Sequence, residues 1–427
     1  MLLPVQLVLR GAEALMPLLL GAWFGRSPST DLYFAEFAFF QLTGSLLFGA
    51  FQDSAIVPIL IETKQKGQKA LEATFGSLFA HTLLVGLVLA AASALVGAVS
   101  LMVFYHGAER GVGLAMVPLF AGSLVLFGAR GLIEAWLVAE QRYFIAPIAR
   151  AFGVATMLAL VAALHQRGIV VLPAATLIGE MVSIVALAVV TLGAGRMPLL
   201  PNLSRPEPVR RLARLVGSEV AGGAVTRVNP LVDQLVAAIA GVAGGGTLLR
   251  YSIDVALAPT TILQAVLFPV LLSQLSREIA IGRIDRFRST LLRSLLTVTA
   301  LLSVAEVLLI VFRGPLLRLA FLRGAMDAAG VDRMAQVFPY HVLGLAPFGA
   351  LLVLARAHVA LKNSRIMVSM GALNAVLNAF FNLVLVRFMG LAGIALSTSL
   401  VHLTVAAVFF YRLETGVQRL GEVTPSP

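Results

Sequence analysis

The residues that could do chemistry in this sequence are arginines and carboxylates set inside long apolar stretches. Arg10, Arg130, Arg150, Arg227, Arg293 and Arg356 all fall within or close to such stretches. An ionised side chain at the centre of a membrane-crossing helix costs about 2.5–3.5 kcal/mol on insertion scales, so it must face water, a partner or an interface. Arg10 with Glu13, Arg130 with Glu134, and Arg250 with Asp254 lie one helical turn apart and share a face. In the plainer reading each is an intrahelical ion pair that neutralises its helix for insertion. In the functional reading the guanidinium turns into a cavity and holds an anionic substrate. Arg suits phosphate because its planar fork gives two parallel hydrogen bonds and stays charged at any working pH. Arg10 and Arg250 lead this group because each pair sits on a helix that opens one half of the chain. Arg130, Arg227 and Arg356 come second, whereas Arg150 and Arg293 lie near segment ends and are expected to snorkel to headgroups.

A second set is rich in oxygen. Asn374, Asn378 and Asn382 recur every fourth residue, Asp233 lies in an earlier apolar segment and Thr398 in a later one. Asp233, Asn374, Asn378 and Thr398 together offer the oxygen ligands and low charge that a hard cation such as sodium prefers. The alternative is that the Asn row hydrogen-bonds neighbouring helices as packing glue.

Motifs of other chemistries are missing. The sequence has no Walker loop, no HExxH and no GxSxG, and no strand on which a dinucleotide fingerprint could sit, so an enzyme is not expected. Gly241-Val242-Ala243-Gly244-Gly245-Gly246 lies at a helix end without the GxGxxG spacing and reads as a turn. The six His residues form no ligand-spaced pair, and cysteine is absent, which removes disulfides and thiolate metal sites.

The elements that must carry these residues follow from composition. Of 427 residues 59% are hydrophobic and only 12% charged, with a mean hydropathy of +0.94. Soluble domains carry roughly 25% charged residues, so this chain has too few polar groups to cover a water-facing surface. The long unbroken apolar runs indicate helices rather than the alternating segments of a barrel. A span needs about 20 apolar residues. By that measure twelve spans are predicted, near 2–24, 32–61, 73–104, 112–139, 145–164, 168–194, 216–243, 247–275, 289–312, 335–360, 366–387 and 390–411. Pro58 marks a kink or stop in the second. The first segment lacks a basic leader and a small-residue cleavage site, and is expected to be a transmembrane helix rather than a signal peptide.

The net charge of +11 is distributed unevenly. About 17 of the 32 Lys and Arg fall in one set of alternate loops and about nine in the other, which places both termini in the cytoplasm. In a membrane protein this excess marks the cytoplasmic face and anionic lipids rather than a nucleic-acid partner. A basic, proline-rich break at 195–215 divides six spans from six. The expected organisation is thus a bundle over 1–194, a cytoplasmic linker over 195–215, a second bundle over 216–412 and a disordered tail over 413–427. It is an all-α polytopic membrane protein, with about twelve transmembrane helices in two six-helix bundles around a central cavity, a common transporter plan.

Several stretches, taken in order, resemble the lipid II flippases of the MurJ/MviN family, in the multidrug/oligosaccharidyl-lipid/polysaccharide exporter superfamily. They are Phe24-Gly25 with Thr30-Asp31-Leu32-Tyr33-Phe34-Ala35, then Gly49-Ala50-Phe51 and Val57-Pro58-Ile59-Leu60; Val228-Asn229-Pro230 with Tyr251-Ser252-Ile253-Asp254 through Leu275-Ser276; Arg323-Gly324-Ala325 with Leu343-Gly344-Leu345 and Val353-Leu354-Ala355-Arg356-Ala357; and Gly390-Leu391-Ala392-Gly393-Ile394-Ala395. The resemblance implies a flippase that moves a polyprenyl-pyrophosphate-linked saccharide from the inner to the outer leaflet by alternating access. It also implies a cationic cavity with arginines on the first, second and eighth helices. Arg10 matches one such position and Asp31 matches the family's acidic residue after the first helix. The other arginine positions fall on Met16, about Gly44 and Val255, with Arg250 and Arg130 as possible substitutes. The family's usual fourteen spans exceed the twelve here, which leaves the pair implied to cradle the lipid tail without a counterpart.

The expected function is therefore a flippase of the bacterial inner membrane for a lipid II-like peptidoglycan precursor, driven by membrane potential or by sodium. It is expected to act as a monomer among membrane lipids, or alongside cell-envelope synthesis proteins. The alternatives are a flippase for another lipid-linked oligosaccharide, a cation-coupled small-molecule exporter of the same superfamily, or a non-transporting scaffold for envelope synthesis.

Overall fold

The computed structural model describes residues 2–44, 55–193, 201–213, 228–361 and 363–423. Among these every regular element is helical, as the apolar runs require: in hydrocarbon a helix is the only open-chain form that satisfies its own backbone. The chain divides into two compact units, Met1–Arg227 and Val228–Pro427.

The first unit contains α1 (Leu2–Phe24), α2 (Pro28–Gly44), α3 (Val57–Gln65), α4 (Gln68–Phe104), α5 (Gly107–Ala139), α6 (Ile145–Leu164) and α7 (Val171–Gly193). Gly25, with φ +60°, ends α1, and the Ser27 hydroxyl accepts the Thr30 N–H at 3.1 Å to open α2. Pro58 occupies the first turn of α3, where its missing N–H costs nothing. The core around Leu60, Leu71, Phe75, Leu132, Trp136 and Leu137 joins α3, α4 and α5. By contrast α4 leaves Val88, Leu95, Val99 and Val103 exposed, the apolar face a lipid-bathed helix presents.

The stretch expected to be a linker is partly ordered against this unit. Residues 207–213 are helical, and Val209 and Leu212 join the core. Asn202 Nδ2 donates to the Ala73 carbonyl at 3.1 Å, and Arg211 pairs with Glu62 at 3.0 Å. Lys66 (first) and then Arg211 hold the exposed Glu62 carboxyl below its usual range. Lys64 pairs with Glu140 at 2.8 Å, so α3, α5 and the 201–213 segment are pinned by charges at one end of the unit.

The second unit contains α8 (Asn229–Ile239), α9 (Gly245–Ala280), α10 (Ile284–Val311), the short α11 (Arg313–Phe321), α12 (Ala328–Val342), α13 (Leu345–Ala360), α14 (Ser364–Met389) and α15 (Leu391–Val423). The span predicted over 335–360 is broken at Gly344, into α12 and α13. A Cβ at Gly344 would approach Ser399 Cα to 2.9 Å, so only glycine lets α15 come this close. Glu306 on α10 accepts the Ala346 N–H at 2.8 Å and caps the buried start of α13. α15 runs on to Val423, so the part of the tail over 413–423 is helix rather than disordered chain. Within α15, Glu414 pairs with Arg288 of α10 at 2.7 Å.

Among the described residues eight helical segments are long and apolar enough to cross a bilayer: α4, α5, α6 with its short extension, α7, α10, α12–α13 together, α14 and α15. α1, α2, α8 and α9 occupy the remaining four predicted spans. The spans at 32–61 and 216–243 each include residues outside the description.

Candidate functional site

Three polar constellations lie among the helices. In the first unit Arg130 on α5 is 5% exposed and each of its three guanidinium nitrogens donates to a carboxylate. Nη1 donates to Glu134 Oε1 at 2.6 Å, Nε to Glu180 Oε2 at 2.6 Å and Nη2 to Glu180 Oε1 at 3.4 Å. The other Glu134 oxygen accepts from Arg150 at 3.0 Å, and the Phe127 ring lies 5.2 Å from the Arg130 guanidinium carbon. Two positive and two negative charges thus cancel across α5, α6 and α7. The one-turn spacing announced the Arg130–Glu134 pair; Glu180, fifty residues along, was missed. Arg150, expected to snorkel, is half-exposed but bonded to Glu134.

In the second unit Arg250 and Asp254 form the expected one-turn pair at 3.0 Å, through Nε alone. The Arg250 side chain is 29% exposed, and its two terminal nitrogens make no hydrogen bond among the described residues. That edge is the one on which a phosphate receives two parallel bonds. Arg356 on α13 lies 5.9 Å from the Phe268 ring and forms no ion pair among the described residues. Arg10 belongs to α1 with its side chain outside the description, and Arg227 lies outside the described residues. Asp31 stands in the first turn of α2, where a carboxylate favours the helix dipole. Met16 and Val255 are half-buried on α1 and α9. Gly44 closes α2, where a Cβ would meet Leu124 at 3.1 Å.

The third constellation gathers most of the oxygen-rich set. Asp233 Oδ1 on α8 accepts from Asn378 Nδ2 at 3.1 Å and Asn382 Nδ2 at 2.6 Å on α14. One turn away, Asn229 Nδ2 donates to Asn374 Oδ1 at 2.9 Å. The side-chain oxygens of Asn229 and Asn382 are buried and accept no hydrogen bond among the described residues. Two orphaned acceptors beside a carboxylate suit a hard cation, which would supply the missing positive charge. Thr398 does not join: its hydroxyl donates to the Ile394 carbonyl of its own helix at 3.5 Å. Ser397 instead reaches the Asn378 carbonyl at 3.3 Å, because α15 turns that side toward α14. His341 is buried and paired with Ser252 at 2.8 Å, without forming a site.

Comparison with known proteins adds an independent line. The family model for lipid II flippase MurJ matches residues 20–422. A probable lipid II flippase MurJ from Rhizobium tropici is 24% identical over 392 residues, which is 89% of this chain and 73% of that protein. Its counterpart from Vibrio cholerae is 27% identical over 192 residues, 45% of this chain and 36% of that one. Among solved structures, a lipid II flippase MurJ in an inward closed conformation superposes with a TM-score of 0.80 at 17% identity, covering 97% of this chain and 88% of that one. An inward-facing multidrug resistance MATE family transporter gives 0.78 at 13% identity, covering 96% of each chain. At these identities the superpositions speak for the fold.

Proposed function

Because this chain belongs to the lipid II flippase MurJ family, we propose that it carries a polyprenyl-pyrophosphate-linked saccharide across the bacterial inner membrane by alternating access. Members of this family are multi-pass membrane transporters and not catalysts of a chemical reaction. The observation that carries the binding assignment is the free edge of the Arg250 guanidinium, half-exposed and oriented by Asp254. Arg10, in the first unit, is the other residue assigned to binding, at a position where the family carries an arginine. Arg130 plays no part in binding, since both neighbouring carboxylates already occupy its donors. Arg356 and Arg227 are secondary. The Lys and Arg bias favours cytoplasmic termini, and in this reading the protein works as a monomer. Met16, Gly44 and Val255, where the family has arginines, favour a second reading in which the cargo is a lipid-linked saccharide other than lipid II.

The test is complementation of a bacterial strain depleted of its own lipid II flippase. Each charge-assisted hydrogen bond to phosphate contributes about 1.5–3 kcal/mol, so losing both arginines weakens binding by well over tenfold. The unaltered chain is expected to restore growth, and Arg10→Ala with Arg250→Ala is expected not to. Rescue by the double variant would overturn the assignment of those residues. Failure of the unaltered chain, together with no lipid II exposed in the outer leaflet, would leave a different lipid-linked saccharide as the cargo.

The polar row on α14 supports a coupling ion. Asp233, Asn374 and Asn378 hold sodium in this reading, with the orphaned oxygens of Asn229 and Asn382 completing the shell and Thr398 outside it. Sodium should then raise the thermal midpoint of the purified protein, by about 2.7 kcal/mol of stability at a hundredfold excess over Kd. Asp233→Asn removes the negative charge, and its midpoint should be the same in sodium and in choline. An equal sodium shift in the variant would exclude the site.

A further inference from the structure

Glu36 on α2 belongs to none of these constellations. It is 7% exposed, and among the described residues neither carboxyl oxygen has a hydrogen-bond partner. α2 packs against α5 and α4, and the space for the carboxyl comes from Gly113 on α5, whose added Cβ would lie 3.0 Å from Glu36 Oε1. The ionisable groups at this end of the three helices are Arg26, Asp31, Tyr33, Tyr105, His106, Glu109 and Arg110. Arg110, the nearest basic residue of α5, is committed elsewhere: Nε donates to the Tyr105 carbonyl at 2.8 Å and Nη2 to the Met102 carbonyl at 3.1 Å. Among the described residues no cation is bonded to Glu36, although an ionised carboxylate without a partner is costly to bury.

Further ionisable groups lie beside it at the end of these helices. Tyr105, half-buried between α4 and α5, lies within electrostatic reach of Asp31, Glu109 and Glu36; burial first, and these carboxyls next, push its phenol above its usual range. Tyr105 therefore stays protonated and can both donate and accept. Asp31 stands five residues before Glu36, roughly 7.5 Å nearer the helix end. Glu109, Tyr105 and Asp31 thus lead from the turn between α4 and α5 toward the buried carboxyl.

We propose that Glu36 is a proton-binding site, loaded from water at the α4–α5 turn by way of Glu109, Tyr105 and Asp31, and that its protonation is coupled to the transport cycle. The proton arrives on a water at that turn, attaches to a carboxylate oxygen of Glu36 while the site is hydrated, and is held as the neutral acid when the helices close over it. It leaves to water when the site is hydrated again. The coupling to transport rests on the flippase reading; the proton site itself does not.

Two measurements on the full-length chain separate them. Infrared spectroscopy of the purified protein should show a protonated-carboxyl band that titrates with pH, is lost in Glu36→Gln and is shifted in Glu36→Asp. Flipping of fluorescent lipid II in proteoliposomes, at clamped membrane potential, should respond to an imposed pH gradient by up to about tenfold per unit. Glu36→Gln, a permanently neutral isostere, should flip at a rate independent of the gradient. A band that persists unchanged in both variants overturns the proton site, and a gradient response that survives in Glu36→Gln overturns the coupling. If no protein flips lipid II while the band behaves as expected, the site stands and the choice of cargo fails. Should Glu36→Gln not fold, the band of Glu36→Asp decides the site.

Discussion

Arg130→Met is expected to cost the first unit about 3–5 kcal/mol, because it removes the cation between two carboxylates that stay behind in an apolar surround. Glu134 would retain Arg150 at 3.0 Å, but Glu180 would keep no ion-pair partner among the described residues. The expected result is a fall in thermal midpoint on the order of 10 °C in detergent, with reduced yield of monodisperse protein. The cause can be separated from simple loss of volume. Arg130→Met with Glu180→Met removes one charge of each sign and leaves Glu134 paired with Arg150, so the double variant should recover most of the loss. If the single variant melts with the unaltered protein, or the double variant is worse than either single one, the network is not what holds α5 to α7. Arg130→Lys should fall between, since one ammonium cannot reproduce a fork that meets Glu134 through Nη1 and Glu180 through Nε and Nη2.

The same network shows what a sequence can and cannot disclose here. Helical spacing revealed Arg130 with Glu134 and Arg250 with Asp254, because residues four apart share a face whatever the tertiary fold. It also put Asn374, Asn378 and Asn382 on one face of α14. The convergence of that face with Asp233 on α8, about 145 residues earlier, follows only from packing. Thr398 failed to join for the same reason: a residue's position in a span does not give its rotation about the helix axis, and Ser397, one residue away, points to α14 instead. The break at Gly344 was hidden because both halves of the span are apolar. Glu36 was passed over although its signal was present: a carboxyl within a span with no basic residue three or four positions away. Such a residue is a functional candidate by default, since the usual neutralising neighbour is missing. Twelve spans could be read because each must be long enough to cross hydrocarbon, a constraint that acts on one segment at a time.

Gly153→Leu is expected to separate α6 from α7, the most extensively packed helix pair among the described residues. A Cβ at Gly153 would overlap Ser183 Oγ and the Gly179 carbonyl oxygen, and one at Gly179 would come within 2.6 Å of the Gly153 carbonyl oxygen. Backbone meets backbone on both sides, so no rotamer change relieves the clash. Helices in lipid gain little from apolar transfer and associate through such close contacts between small residues. Even Gly153→Ala should therefore destabilise by about 1–3 kcal/mol, the usual effect of overpacking, and leucine by more. The effect should reach the ion network, because Gly179 immediately precedes Glu180, whose Oε2 lies 2.6 Å from Arg130 Nε. If α7 moves outward the carboxylate moves with it, so Gly153→Leu combined with Arg130→Met should lose less than the sum of the two single changes. Gly111→Ala is the control: it lies on an exposed face of α5 with nothing within 4 Å of its added Cβ. There alanine should be neutral or stabilise by up to about 1 kcal/mol through helix propensity. Thermal melting of these variants in one detergent decides the matter. Equal midpoints for Gly153→Leu and Gly111→Ala would mean that α6 and α7 are not held at the distance the two glycines require.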